Sequence, residues 1–267
     1  MIRGRGYARW SSTAAPGVVD DDAGMAIPAW ARQDGGSVRF EWGPAGVRAV
    51  AAPYVVVVDV LRFTTAVDAA VGRGARVYPY RWNDISAVEF AGRTGAALAG
   101  SADPAGPSLS PVRLSQTSAG DAIVLPSPNG STCAAIAASS GATVLAACLR
   151  NAEAVANWLD EQGGAVTVIA CGEQWPDGSL RPCIEDHLGA GAVVSLLRGE
   201  PSPEARGAAA AWFGLRPEIE AVIRHSASGQ ELHARGCQAD VDYALEVGES
   251  ANVPILVDGA FVDAASV

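Results

Sequence analysis

No Cys-x-x-Cys pair occurs among the five cysteines, Cys133, Cys148, Cys171, Cys183 and Cys237, and their number is odd. Scattered thiols of this kind exclude a disulfide frame and a zinc site, and predict reduced cysteines in a cytoplasmic protein. Positive charge is scarce as well. Nineteen basic residues against 29 acidic ones give a net charge of −10, with no basic stripe to neutralise a nucleic-acid backbone. No apolar run reaches the length that spans a bilayer. Residues Met1 to Gly24 hold three arginines but no apolar h-region, which argues against a secretion signal. With Ser12-Thr13 and Asp20-Asp21-Asp22, this stretch reads as a flexible N-terminal extension over residues 1–28. Low-complexity tracts and close repeats are also missing.

What remains is a chain built to fold. Its 267 residues are 49% hydrophobic and 18% charged, enough for a full core. Thirty glycines and many alanines favour close packing of helices on a sheet. Val55 to Asp59 is a β-branched run, the mark of a strand covered on both faces. A helix over Thr65–Arg73, a strand over Ala75–Tyr80, a helix from an Asn83 cap to Arg93 and a short strand over Ala96–Ala99 follow. Val38–Trp42, which alternates, fits an edge strand ahead of them. After a loop with three prolines at Ser101–Pro111, the alternation resumes. Strands at Ile123–Leu125, Thr143–Ala147 and Val166–Ala170 flank helices over Ser131–Ser140 and from an Asn151 cap to Gln162. Pro182 fits the first turn of a long helix to Arg198. The rest is helical, with Ser228 and Glu231 spaced as a capping box, up to a last strand at Pro254–Val257. Strands alternating with helices predict a three-layer α/β/α sandwich with a mostly parallel sheet. The loop at Ser101–Pro111 is too short to force two domains, so one α/β domain over residues 29–267 is expected.

Two stretches share one design. Tyr54–Thr65 and Ala122–Thr132 each run a buried strand into a polar loop and then a small-residue helix. Such turns aim backbone N–H groups and hydroxyls at one point, where an anion can sit. In the first, Asp59 ends the strand, where ligands of open α/β sheets collect, although a turn or cap role is an equal reading. Arg62 adds a planar fork suited to phosphate or sulfonate, and Thr64 and Thr65 can bond the same anion. In the second, Pro126 and Pro128 stiffen the approach around Ser127, and Asn129-Gly130 lets the backbone come close to a ligand. Ser131 and Thr132 add hydroxyls there. The lysine and glycine spacing of a nucleotide P-loop is lacking. Glu185 and Asp186 stand at the start of a helix, where carboxylates often serve only the macrodipole. An acidic protein that handles a phosphorylated anion generally needs a divalent cation, and these carboxylates could hold one. Cys171 and His187 raise a thiol hydrolase as a minor alternative.

With these residues assembled, the chain resembles the 2-phosphosulfolactate phosphatase family, the ComB-like proteins. The resemblance lies in Asp59-Val60-Leu61-Arg62-Phe63-Thr64-Thr65, Pro128–Thr132, Leu149–Ala156, Asp177–Asp186 and Gly189-Ala190-Gly191-Ala192, in family order, between Val38 and Phe261. It implies an α/β/α sandwich with a mixed sheet. It also implies magnesium-dependent hydrolysis of 2-phospho-3-sulfolactate to 3-sulfolactate and phosphate, a step toward coenzyme M. The resemblance further implies hydrolysis without the aspartyl-phosphate chemistry of a DxDx signature. On this likeness Asp59 and Arg62 are catalytic, and Asp59, Glu185 and Asp186 hold Mg2+. Thr64, Thr65, Ser127, Asn129, Gly130, Ser131 and Thr132 then bind substrate. Two family motifs, a Gly-Glu and a Gly-Asn-Ser-Pro, read here as Gly100-Ser101 and Leu109-Ser110-Pro111. Their loss motivates the alternative of a non-catalytic binder of an anionic phosphometabolite. The expected partner is a small anionic phosphorylated substrate, with no nucleic acid and no membrane. Homo-oligomerisation is left open.

Overall fold

Valine at four consecutive positions, Val55 to Val58, is buried on every side chain, and the alternation shows why. Val55 and Val57 enter one apolar cluster, while Val56 and Val58 enter the cluster on the opposite face. A strand sandwiched between two helical layers has no solvent face to make polar. The computed structural model describes residues 27–50, 52–100 and 106–267. The expected N-terminal extension lies outside these, except for Ile27 and Pro28.

The strands are β1 (Val38–Trp42), β2 (Tyr54–Val58), β3 (Arg76–Tyr80), β4 (Ala97–Leu98), β5 (Ala122–Pro126), β6 (Thr143–Ala147) and β7 (Val166–Ala170). A small hairpin, β8 (Glu173–Gln174) and β9 (Leu180–Arg181), precedes the closing pair β10 (Pro254–Val257) and β11 (Ala260–Asp263). The helices are α1 (Gly43–Ala49), α2 (Phe63–Val71), α3 (Ile85–Thr94), α4 (Pro111–Leu114), α5 (Gly130–Ser139) and α6 (Ala152–Gln162). After them come α7 (Ile184–Leu196), α8 (Pro203–Leu215), α9 (Ile219–His225), α10 (Ala227–Ala234) and α11 (Gln238–Ala244).

Nine strands form one mixed sheet in the order β1-β7-β2-β6-β10-β11-β3-β5-β4. β1, β7, β2 and β6 run parallel, and so do β3, β5 and β4. Between the two blocks lies the β10–β11 hairpin, antiparallel to both neighbours. The hairpin is in ladder register with each block at a single residue pair, Ile255 with Leu145 and Phe261 with Val77. One helical layer packs α1, α2 and α5 on the face that Val55, Val57, Ile123, Leu125 and Ile169 present. On the other face α6, α7 and α8 cover the first block, and α3 covers the second. The fold is therefore a three-layer α/β/α sandwich. Because α5 touches β3 of one block and β2 and β6 of the other, it fills the space where the two blocks meet.

Several boundaries depart from the sequence expectations, each for a local reason. α2 begins at Phe63 rather than Thr65, because the Asp59 carboxylate accepts the Phe63 N–H at 3.1 Å. Asp84, not Asn83, caps α3 by accepting from Ser86 N. The long helix starts at Ile184, after Pro182, with Cys183 at its cap. Ser226 caps α10 through Gly229 N, which leaves Ser228 inside the helix and dissolves the proposed capping box. Asn151 does precede α6, but its side chain accepts from Cys148 N and donates to Ala146 O and Asn252 O instead of capping the helix. The sequence reading missed α1, α4, the β8–β9 hairpin and β11.

Candidate active site

The loops after β2 and β5 meet at one carboxylate. Asp59 follows β2 and is buried; its Oδ1 accepts from Phe63 N at 3.1 Å and its Oδ2 from Gly130 N at 3.0 Å. These donors are the first backbone N–H groups of α2 and α5, so one negative charge faces two helix N-termini. Gly130 is required there. A Cβ on it would lie 2.2 Å from the Phe63 ring and 2.8 Å from Asp59 Oδ2.

The hydroxyls divide into those spent on the loops and one that is not. Thr64 Oγ1 donates to Asp59 O and accepts from Asp59 N, and Thr65 Oγ1 donates to Val60 O. Ser131 Oγ donates to Leu125 O at 3.2 Å. Thr64, Thr65 and Ser131 therefore shape the turns through their hydroxyls. Thr132 differs: its Oγ1 is buried without a hydrogen-bond partner among the described residues. The N–H groups of Ser131 and Thr132 also lack a backbone acceptor there, since the first bond of the turn runs from Cys133 N to Asn129 O. Two free N–H groups and a free buried hydroxyl at a helix start are donors that can serve as an anion cradle. Ser127 is buried beside it, its N–H bonded to Tyr80 O.

Carboxylates crowd the same place. Asp186, in the first turn of α7, accepts from Val60 N at 2.7 Å and from Gly172 N at 2.9 Å. This ties the ends of β2 and β7 to α7. Its neighbour Glu185 is 2% exposed, yet its carboxylate makes no hydrogen bond among the described residues. Glu173, in β8, accepts from Asn129 Nδ2 at 2.8 Å and so joins the β7 edge to the β5 loop. Burial, then the negative charge of Glu173, pushes the Asp59 carboxyl up to about 7. Burial, with Asp59 and Glu185 nearby, raises Asp186 well above the carboxylate range. Glu173 is not among the site residues expected from the sequence. It brings in a carboxylate from β8, whereas the position of the family Glu, Ser101, lies outside the described residues.

Arg62 pairs with Asp240 in α11, and the peptide bond before Arg62 is cis. The chain contains no lysine, so any cationic clamp on an anion here must be an arginine. For a divalent cation the donor chemistry fits. Glu185, a buried residue, offers hard carboxylate oxygens with no hydrogen bond among the described residues, and Asp59 and Asp186 feel its charge. No group of three His, Cys, Asp or Glu side chains has metal-ligand spacing among the described residues, so the expected trio is not a ready-made cage. Magnesium typically takes one or two carboxylates and completes its shell with water and phosphate oxygens.

The thiol alternative loses its geometry. Cys171 is buried, and burial raises its thiol well above the usual range. His187 stacks on Phe40 at 5.3 Å and lies 5.6 Å from Trp42. All five cysteines are free, and no described helix is long and apolar enough to cross a membrane.

The family described as 2-phosphosulpholactate phosphatase matches residues 45–259. The 2-phosphosulfolactate phosphatase of Methanothermobacter thermautotrophicus is 30% identical over 76% of this chain and 87% of its own length. A probable 2-phosphosulfolactate phosphatase of Thermus thermophilus is 32% identical over the same shares. Another from Carboxydothermus hydrogenoformans is 31% identical over 72% of this chain and 82% of its own. The matched span takes in every strand from β2 to β10 and the loops after β2 and β5, and on that ground the chain belongs to the 2-phosphosulpholactate phosphatase family.

Proposed function

We propose that this protein hydrolyses a small phosphorylated hydroxy-acid, 2-phospho-3-sulfolactate, to 3-sulfolactate and phosphate, with magnesium as cofactor. One observation carries the reading: the free N–H groups and free Thr132 hydroxyl of α5 adjoin the Asp59 carboxylate through its bond to Gly130 N. The relatives named above carry that activity in their names.

The cradle at α5 would take the phosphoryl oxygens, with the Ser131 and Thr132 N–H groups and the Thr132 hydroxyl donating to them. Charge builds on these oxygens as the ester bond breaks, and fixed donors stabilise it without reorganising. Arg62 supplies a guanidinium to the same group. Asp59, near neutral in its proton affinity, accepts the proton of the attacking water as its oxygen bonds phosphorus. The sulfolactate oxygen leaves with the electron pair of the broken P–O bond and takes up a proton. Asn129, fixed by Glu173, borders the cradle from the β5 side. Glu185, with Asp59 or Asp186, would hold the magnesium ion. With magnesium held there, the carboxylate repulsion would be offset and phosphoryl charge neutralised.

The test is phosphate release from 2-phospho-3-sulfolactate with and without magnesium. The reading expects release with the metal and very little in its absence. Arg62→Ala lowers kcat/KM by about tenfold or more, equal to about 1.4 kcal/mol. Tight substrate binding with no release under either condition would make the protein a binder instead.

A further inference from the structure

Arg62 is held from outside its own loop. Its Nη1 donates to Asp240 Oδ2, and the other oxygen of that carboxylate accepts from Ser110 Oγ. Asp240 is buried in the first turn of α11, and the Arg62 side chain is 16% exposed. Ser110 is itself fixed, because its Oγ caps α4 by accepting from Arg113 N. One carboxylate thus joins three segments far apart in sequence: the β2–α2 loop, the start of α4 and α11.

A buried carboxylate requires partners for both oxygens, and here an arginine and a serine supply them. A guanidinium has five N–H donors in a rigid fork. Among the described residues Arg62 donates from Nη1 alone, which leaves the Nε and Nη2 edge for a second, bidentate acceptor. An unanchored arginine would lose its rotamer freedom on meeting an anion; an anchored one has lost it already. The opposing effect is electrostatic, since Asp240 also withdraws positive charge from any anion at Arg62. The two effects differ in sign, so an experiment separates them.

We infer that Asp240, held by Ser110, is a positioning residue that sets the Arg62 guanidinium for the substrate phosphate. This rests on the reading of Arg62 as a phosphate clamp. α4 and α11 complete the site from beyond the two cradle loops.

The experiment is calorimetric titration of the full chain with inorganic phosphate, for wild type, Asp240→Asn, Arg62→Ala and the double variant, with thermal melting of each. Asp240→Asn is expected to weaken phosphate binding about tenfold and to have no further effect in the Arg62→Ala background. A structural role alone would reduce affinity equally in both backgrounds. Equal losses, unchanged affinity or tighter binding in Asp240→Asn each overturn the inference. If Asp240→Asn does not fold, Ser110→Ala takes its place. It is expected to cost about threefold with Arg62 present and nothing without it, and a neutral Ser110→Ala overturns the inference. Wild-type protein that binds phosphate but cleaves no phosphoester retires the hydrolase reading and leaves the positioning role to be decided by the variants. Wild-type protein that does not bind phosphate overturns it.

Discussion

Asp59 and Glu173 come from different strands and act on each other through charge. Asp59 is held above the ordinary carboxylate range first by burial and then by Glu173, while its two backbone hydrogen bonds pull the other way. The sign follows directly. If the ionised form is the base, kcat/KM rises as pH climbs through about 7. Glu173→Gln removes one of the charges that raise Asp59, so the acidic limb of the pH–rate profile moves to lower pH. Burial remains, so the limb stays above the usual Asp range. A limb that stays put or moves upward contradicts this pairing. Thr132 allows a second prediction at this scale. Its buried hydroxyl has no partner among the described residues, which costs the free protein stability. Thr132→Val should stabilise the free protein by about 1 kcal/mol and weaken phosphate binding. Melting and phosphate titration of the same sample measure both, and a variant that loses stability and keeps its affinity refutes it.

At the scale of elements, the close approach of α2 to α5 depends on Gly130. Phe63 is fully buried and cannot yield to a Cβ at 2.2 Å. Gly130→Ala should cost about 1–3 kcal/mol by overpacking and abolish phosphate binding, as denaturant unfolding and titration would show. Wild-type stability would mean the helices do not meet as described. The helix α7 obeys the same logic on its other side, where a Cβ on Gly191 would lie 2.2 Å from Ala208 O of α8. That contact gives the Gly189-Ala190-Gly191-Ala192 stretch an architectural role. So does the ion pair of Arg150 with Asp68, at 3.1 Å, in the Leu149–Ala156 stretch. Both strand–loop–helix turns were legible in the sequence, because the apolar runs Val55–Val58 and Ile123–Leu125 each give way to a polar loop and then a small-residue helix. Which hydroxyls face a ligand was not legible. That depends on whether a nearby carbonyl, such as Asp59 O or Leu125 O, captures the proton first. Asp240 and Glu173 carry no local signal at all, since their partners lie 178 and 44 residues away.

Across the whole molecule, the sequence showed the layers but not the inversion between the blocks. Local periodicity reports whether a strand is covered on both faces, and Val55–Val58 and Val166–Ala170 say so plainly. It carries nothing about a hairpin from the end of the chain entering between β6 and β3. Phe261 of that hairpin is fully buried and lies edge-on to Phe63 at 6.3 Å, so it ties the hairpin to the site helix. Phe261→Ala should cost about 3–5 kcal/mol and lower Tm by about 10 °C. A change within 2 °C would remove the hairpin from the core by this account, a roughly negligible loss.

The most direct measurement is a crystal structure of the protein with magnesium and orthovanadate, a mimic of the phosphoryl group in flight. The expected result is vanadate against the Ser131 and Thr132 N–H groups, accepting from Thr132 Oγ1, with Asp59 and Glu185 on the same side. Vanadate bound elsewhere, with Thr132 Oγ1 still unpartnered, would contradict a shared phosphate site at the meeting of the two loops.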